Sequence, residues 1–148
     1  MRRQKVKGLA MLGLLVTLAL ATTAITAKGQ GQSVTANVPF DFIVGDKVLA
    51  AGEYRLGIAS GTAFVAVEGS RERAVRLTNV MSQKSDKTAL VFHRYGSTYF
   101  LAEVWEGQLG ISRQLLKSHQ ERVLEKEAAR IARNGTRPYE QIVLLATR

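Results

Sequence analysis

Three side chains in this sequence could take part in acid–base chemistry, those of His93, Glu103 and Asp41. His93 is the first candidate for a base, but the predicted hairpin around it places it opposite Phe100 in apolar surroundings, where a packed histidine is expected. The other histidine, His119, lies at the start of a predicted helix. Because no carboxylates accompany the two histidines at a metal-ligand spacing, the sequence predicts no metal site.

Glu103 interrupts the apolar face that Leu101 and Trp105 are predicted to form on a central strand. A buried carboxylate must be paired or hydrogen-bonded. We therefore expect a cationic partner for Glu103 on a neighbouring strand, either Arg76 or Arg94.

Asp41 lies beside Pro39 and has no second acid at a defined spacing, so we expect it to bond the amides of a turn. Nucleophile elbows built on serine, glycine loops that hold phosphate and paired cysteine motifs are all missing from the sequence. The sequence thus predicts no catalytic residue, no metal and no cofactor, and it indicates a protein that is not an enzyme. His93, Glu103 and Asp41 remain the candidates for any functional role.

The elements that would position these residues begin with a strand of period two over 34–44. Pro39 cannot donate to a β-ladder, which predicts a sheet edge or a bulge near it. After a turn at 45–47, a second strand begins near Tyr54, whose hydroxyl is expected to bond backbone as in the tyrosine corner of sandwich folds. Gly52 is expected to allow the tight entry into this strand. The residues expected on the buried face of the first strand are Val34, Ala36, Val38, Phe40, Phe42 and Val44.

Four further strands are predicted before the helix. A polar loop at 81–87 separates the first two from the last two, which flank the Gly96-Ser97 turn of a hairpin. Both hairpin strands are apolar on both faces, so we expect them in the middle of the structure, with a cover over one face. These four strands are predicted at 62–68, 73–80, 88–95 and 98–106.

A helix over about 118–134 is predicted to be that cover. It begins at a capping box, Ser118-His119-Gln120-Glu121, in which the serine accepts from an amide and the glutamate reaches back to the cap. It is expected to end at Asn134-Gly135. A last strand over 139–147, apolar on both faces, is expected to return to the interior of the sheet. The apolar stripe of the helix contains Val123, Leu124, Ala128 and Ile131.

Together these elements predict a mainly β fold. We expect an antiparallel β-sandwich or flattened barrel of about seven strands, with one C-terminal helix followed by a final strand. Residues 28–148 are expected to form a single domain.

Residues 1–27 are expected to be a signal peptide. Four cations, ending at Lys7, precede an uncharged run over 9–21, which is shorter than the roughly 20 residues of a membrane span. Small residues follow, and we expect the mature chain to begin between Ile25 and Gly29. An uncleaved anchor is the alternative. The sequence contains no cysteine, which excludes thioether lipidation and disulfides.

The positive charge of the chain comes partly from this leader. The formal charge is +9, but without the four leader cations 17 Lys and Arg face 12 Asp and Glu, a net charge of about +5. The cations are scattered among acids, whereas a nucleic-acid site would be denser and interleaved with aromatics. We therefore expect no nucleic-acid partner, no stable membrane anchor after cleavage, and a periplasmic or extracellular location.

Several motifs are shared with a known family. The stretch Val38-Pro39-Phe40-Asp41-Phe42 and the later Ala51-Gly52-Glu53-Tyr54 resemble the opening of a family of small exported bacterial proteins of unassigned function. The hairpin with His93-Arg94-Tyr95-Gly96 at its tip, and Arg113-Gln114-Leu115, are similar to that family as well. Ala50 stands where the family more often has proline. The resemblance implies an exported β protein and no activity.

Three functions remain open at this point. The first is an exported, non-enzymatic envelope protein that binds an envelope protein or polymer through its surface, or has a structural role. The second is a β-barrel-like carrier of a small apolar ligand, and the third is a hydrolase whose site is assembled from distant residues. The interior of the carrier would be lined by Phe40, Phe42, Phe92, Phe100 and Trp105.

Overall fold

The described part of the chain folds into ten β-strands and one α-helix. The computed structural model describes residues 31–58, 62–82, 86–132 and 135–148. The predicted signal peptide, residues 1–27, lies outside the described residues, as do Asn134 at the predicted helix end and 83–85 in the predicted loop.

The elements follow one another with short connections. A 3-10 turn at Gly107–Leu109 joins the eighth strand to the ninth, and the helix lies between the last two strands. The elements are β1 (Gln32–Val38), β2 (Phe42–Val44), β3 (Lys47–Leu49), β4 (Gly52–Ile58), β5 (Phe64–Glu68), β6 (Arg73–Ser82), β7 (Ala89–Tyr95), β8 (Thr98–Glu106), β9 (Ile111–Leu115), α1 (His119–Ile131) and β10 (Glu140–Leu145). The described part is therefore mainly β, with a C-terminal helix and a final strand after it, as the sequence predicts.

Strand β6 belongs to both layers of the sheet. Its first half pairs with β5 and its second half with β9. The first layer contains β1, β4, β5 and the start of β6. In the second layer β8 has β7 and β10 on one side and β9 and β2 on the other. The strand pairings among the described residues are antiparallel except for that of β2 with β8, where Ile43 lies beside Phe100.

The core lies between the two layers and is filled by side chains from both. Leu56 and Val67 of the first layer and Phe42 and Phe92 of the second are almost completely buried. Phe92 packs edge to face with Phe42, at 5.4 Å between ring centroids, and with Phe40, at 5.2 Å. Such aromatic pairs add to the stability that buried apolar area provides.

The predicted flattened barrel does not form, because the sheet remains open. Among the described residues, strand β1 and the segment after β10 are joined by an isolated bridge between Thr35 and Thr147 and not by a ladder. Their two backbone hydrogen bonds are 2.7 and 2.9 Å long. A sandwich, the other predicted form, therefore describes the fold.

The described residues form ten strands where about seven are expected, because three short ones were not predicted separately. Pro39 follows the end of β1 directly, so the predicted strand over 34–44 is divided into β1 and β2. The turn at Gly45 then leads into β3. Strand β9 lies in a segment for which no strand was predicted.

Strand β10 lies at a sheet edge, so the prediction of an interior strand is wrong. It pairs with β7 alone. Ile142 and Leu144 pack against the core, whereas Leu145 is 70 % exposed. Its outward residues are apolar without being covered, which explains why its sequence is typical of an interior strand.

A β-bulge in β8 changes the side that its residues face. The pairing with β7 shifts by one residue, which leaves Ala102 as an extra residue in β8. One inserted residue inverts the alternation of every residue beyond it. Leu101 faces the core, whereas Trp105 lies on the outer face with Glu103. The prediction that Leu101 and Trp105 share a face is therefore wrong.

The helix covers part of the outer face of the second layer. Leu124 and Ala128 pack against a small buried cluster that contains Tyr95 and Phe100. Ile131, expected in the same stripe, is 82 % exposed. The helix ends at that residue, before the predicted Asn134-Gly135 stop.

Candidate functional site

Helix α1 brings a carboxylate to the outer face of β7. Ser118 is the N-cap, and its hydroxyl accepts a hydrogen bond of 3.1 Å from the backbone amide of Glu121. This is half of the predicted capping box. The carboxylate does not complete it, because Glu121 lies on the same helix face as Leu124 and Ala128 and is turned towards the sheet. Glu121 is only 4 % exposed.

His93 is the partner of this carboxylate. Its Nδ1 lies 3.2 Å from Oε1 of Glu121, and the residue is 5 % exposed. Because an ionised carboxylate only accepts, Nδ1 carries the donated hydrogen. The imidazole also stacks on Tyr139, with ring centroids 3.8 Å apart. The predicted packing of His93 opposite Phe100 is confirmed, but its acidic partner was not predicted.

Tyr95 is buried two residues beyond His93, on the same face of β7. Its hydroxyl has no hydrogen-bond partner among the described residues. It lies near the Glu121 carboxylate, but their geometry does not make a hydrogen bond. Burial raises the pKa of Tyr95, and the negative charges of Glu121 and Glu125 raise it further. The phenol is therefore neutral well above neutral pH.

A cavity of about 210 Å³ opens beside the His93–Glu121 pair. Gln114 and Lys117 add two further polar side chains to its wall. The ammonium of Lys117 donates a hydrogen bond to the carboxylate of Glu125, with Nζ 2.5 Å from Oε1. The rest of the wall is apolar and comes from Ala102, Leu115 and Leu116.

Asp41 lies far along the chain from these residues and stabilises a turn. Its Oδ1 accepts a hydrogen bond of 2.8 Å from the backbone amide of Ala51. The prediction that Asp41 bonds turn amides is therefore confirmed.

Tyr54 forms the predicted contact with backbone in the same region. Its hydroxyl donates to the carbonyl of Ala50 at 2.7 Å and lies 3.3 Å from a carboxylate oxygen of Glu72. The glycine that its ring requires is Gly69, since a Cβ there would lie 2.6 Å from the ring. At Gly52 a Cβ would meet the ring at an ordinary 3.9 Å. Gly52 also has no positive φ, so the expectation that it allows the tight entry into the strand is not supported.

Glu103 has no arginine partner among the described residues, and neither Arg76 nor Arg94 bonds it, so that prediction is wrong. Its carboxylate accepts a hydrogen bond of 2.8 Å from the indole nitrogen of Trp105. The bulge places both residues on the outer face, where Glu103 is only half-buried. Arg76 donates to the Leu116 carbonyl, and Arg94 donates to Glu140.

The buried acid with an arginine partner is a different glutamate. Nε of Arg113 lies 2.8 Å from Oε1 of Glu106, and both side chains are almost completely buried. The physical expectation applied to Glu103 thus holds three residues further along the strand.

The structure does not assemble the three candidates into one site. Within the described ranges, no hydrogen bond or ion pair joins any two of His93, Glu103 and Asp41. The same residues contain no group of three or more acids and histidines that could hold a metal ion. His93 with Glu121, beside the cavity, is the strongest candidate site.

Sequence reasoning missed Glu121, Gln114 and Lys117 as members of this site. Glu121 was interpreted as a capping residue only. Its spacing of three residues to Leu124 and seven to Ala128 indicates that it faces the sheet as they do. No sequence pattern indicated that β9 contributes to the cavity wall, because that strand was not predicted.

In the described part of the chain, no helix has the length and apolar character needed to span a membrane. No family model, curated protein or solved structure matches the chain.

Proposed function

We propose that the protein is an exported, non-enzymatic cell-envelope protein that acts by binding a partner through its surface. The observation that supports this most is that each candidate acid–base side chain forms a separate hydrogen bond within the chain. Asp41 bonds a turn amide, Glu103 bonds an indole and His93 bonds a carboxylate within the chain. Their separate roles give little support to a hydrolase assembled from them.

The outer face of the first layer supports a protein partner. Phe64 pairs with Leu77 across β5 and β6, and Val75 lies on the same face. They are 42 %, 55 % and 54 % exposed. Exposed neighbouring apolar side chains are typical of protein–protein contacts. These three side chains offer no charge to an anionic polymer, so we favour an envelope protein as the partner.

The packing of the aromatic residues favours surface binding over a carrier of apolar ligands. Phe40, Phe42 and Phe92 pack against one another between the layers. Phe100 lies under the helix, on the other side of the sheet. The five rings that were expected to line one interior are therefore divided between separate places.

Export is tested by fractionating cells that express the full chain and measuring the mass of the product. We expect a periplasmic or extracellular protein that begins between Ile25 and Gly29. A product that keeps its N-terminus and stays inside the cell would contradict the proposal.

Surface binding is tested by co-sedimentation of the purified protein with isolated cell-envelope fragments. Replacing Val75 and Leu77 by lysine should weaken retention about tenfold or more, as for residues central to an interface. Val48→Lys, on β3, changes an equally exposed apolar residue elsewhere and should have no effect. If the wild type, the double lysine variant and Val48→Lys were retained equally, this face would have no role in binding. Retention that survives protease treatment of the envelope would indicate a polymer instead.

A further inference from the structure

The cavity beside α1 is lined by polar groups with unused hydrogen-bonding capacity. Nδ1 of His93 donates to Glu121, which leaves Nε2 as the ring nitrogen that a ligand could contact. His93 and Glu121 form no further hydrogen bond with the described residues, and the Gln114 side chain forms none. When the imidazole is uncharged, the residues of the wall offer three acceptors: Nε2 of His93, the second oxygen of Glu121 and the amide oxygen of Gln114.

Among the described residues, no lysine or arginine pairs with the Glu121 carboxylate, whose partner is His93. Lys117 is neutralised by Glu125 at 2.5 Å, and its ammonium also lies 5.6 Å from the centre of the Tyr139 ring. Glu121 faces the imidazole of His93 and the phenol of Tyr95. The helix N-terminus stabilises its charge only in part. A bound cation would pair with this carboxylate in place of a proton on His93, since a buried charge is costly unless it is paired.

The size of the cavity suits a small molecule. Its 210 Å³ corresponds to about seven water molecules. Drug-sized ligands need about 300–1,000 Å³. The apolar part of the wall, from Ala102, Leu115 and Leu116, suits a short carbon chain.

We propose that this cavity binds the ammonium group of a small primary amine with a short apolar chain. The three N–H donors of an ammonium match the three acceptors of the wall, and its charge complements Glu121. An alcohol of the same length has one donor and no charge. A carboxylate would add a second negative charge beside Glu121. This binding site does not depend on the surface-binding function proposed above.

The proposal is tested with three probes of equal chain length: n-butylamine, n-butanol and butyrate. Each is titrated into the ¹⁵N-labelled protein at neutral pH, and backbone amide shifts are recorded. We expect the amine alone to cause saturable shifts at His93, Gln114 and Glu121. Its affinity should be weak, in the millimolar range, because a ligand of five heavy atoms offers few contacts.

Two variants and a control locate the binding. Glu121→Gln should weaken amine binding about tenfold or more, the usual effect of losing a charged hydrogen-bond partner. Glu127→Gln removes the same charge from an exposed position of α1 and should leave the affinity unchanged. If Glu121→Gln unfolds, Gln114→Leu serves instead, since it removes one acceptor at similar volume from a half-exposed position.

The outcomes separate clearly. Amine binding that Glu121→Gln or Gln114→Leu weakens, and Glu127→Gln does not, supports the proposal. Shifts of equal size with butanol, a preference for butyrate, wild-type affinity in the cavity variants, or no saturable shifts at all would each overturn it. A preference for butyrate would indicate an imidazolium at His93.

Discussion

The rings of Tyr54 and Tyr95 are both buried, but only the hydroxyl of Tyr54 has partners. Tyr54 donates to Ala50 beside the carboxylate of Glu72, whereas the Tyr95 hydroxyl has none among the described residues. Removing a satisfied hydroxyl loses hydrogen bonds and leaves acceptors unpaired. Removing an unsatisfied one abolishes a desolvation cost. The same substitution should therefore have opposite effects at the two positions.

We expect Tyr54→Phe to lower the free energy of unfolding by about 1 kcal/mol, whereas Tyr95→Phe leaves it unchanged or raises it by up to about 1 kcal/mol. Urea unfolding of both variants at neutral pH measures the difference. A loss of stability in Tyr95→Phe as large as in Tyr54→Phe would show that the Tyr95 hydroxyl has a partner in solution.

Tyr95 should also make the protein sensitive to alkaline pH. Burial and the charges of Glu121 and Glu125 raise its pKa in the folded protein, while the unfolded chain has the ordinary value of about 10. Because the pKa of Tyr95 is higher in the folded state than in the unfolded chain, its protonated phenol contributes to stability. This contribution is fully present below pH about 10 and is lost as pH rises above it. Wild-type stability should thus fall more steeply above pH about 10 than that of Tyr95→Phe. Parallel curves for the two proteins would contradict this.

At the scale of the elements, features that depend on neighbouring residues in the sequence were predicted better than contacts between strands. The helix begins at Ser118 as predicted, because the N-cap depends only on residues within one turn. The two turns at Gly45 and Gly96 depend on local sequence as well. The bulge at Ala102 could not be predicted, because alternation in one strand does not reveal a shift against its partner. Glu103 was assigned a partner on the wrong face for this reason.

The turn after β8 depends on a close approach between two backbone segments. A Cβ at Gly107 would lie 1.9 Å from the carbonyl oxygen of Asp86. Because both groups belong to the backbone, no side-chain rotation relieves the clash.

We expect Gly107→Ala to destabilise the protein by about 1–3 kcal/mol, as overpacking does elsewhere. Gly57→Ala is the matched control, since its Cβ would meet nothing closer than 4.0 Å. That change should be neutral or stabilising by about 0.5–1 kcal/mol, because alanine is favoured over glycine within a strand. Thermal unfolding of the two variants measures the difference. Equal stability would mean that the segment at Asp86 moves freely away from Gly107.

At the scale of the whole molecule, composition and period-two patterns indicated the fold class, but not how the strands are shared between layers. Val34, Val38 and Leu56 are buried as their alternation predicts. The passage of β6 from one layer to the other depends on pairings with β5 and β9, which lie far apart in sequence. The position of β10 at an edge could not be predicted either, since the sequence of an apolar strand face does not show whether another element covers it.

The two edges of the open sheet are held together by one bridge, which can be weakened without changing the core. Thr147 donates its amide hydrogen to the carbonyl of Thr35 at 2.9 Å and accepts from the Thr35 amide at 2.7 Å. Proline at 147 removes the donor, whereas alanine keeps it and removes an exposed side chain whose hydroxyl contacts the Thr35 carbonyl only at 3.4 Å.

We expect Thr147→Pro to lower the free energy of unfolding by about 1 kcal/mol and to speed hydrogen exchange at the Thr35 amide. Thr147→Ala should stay within about 0.5 kcal/mol of the wild type, as surface substitutions usually do. Hydrogen exchange measured by NMR separates a local opening of β1 from a global loss of stability. Because β4 pairs with β1 from Gln32 to Val38 on its other side, β1 should remain attached to the first layer in the variant. Unchanged exchange at Thr35 in Thr147→Pro would show that this bridge does not hold the two edges together.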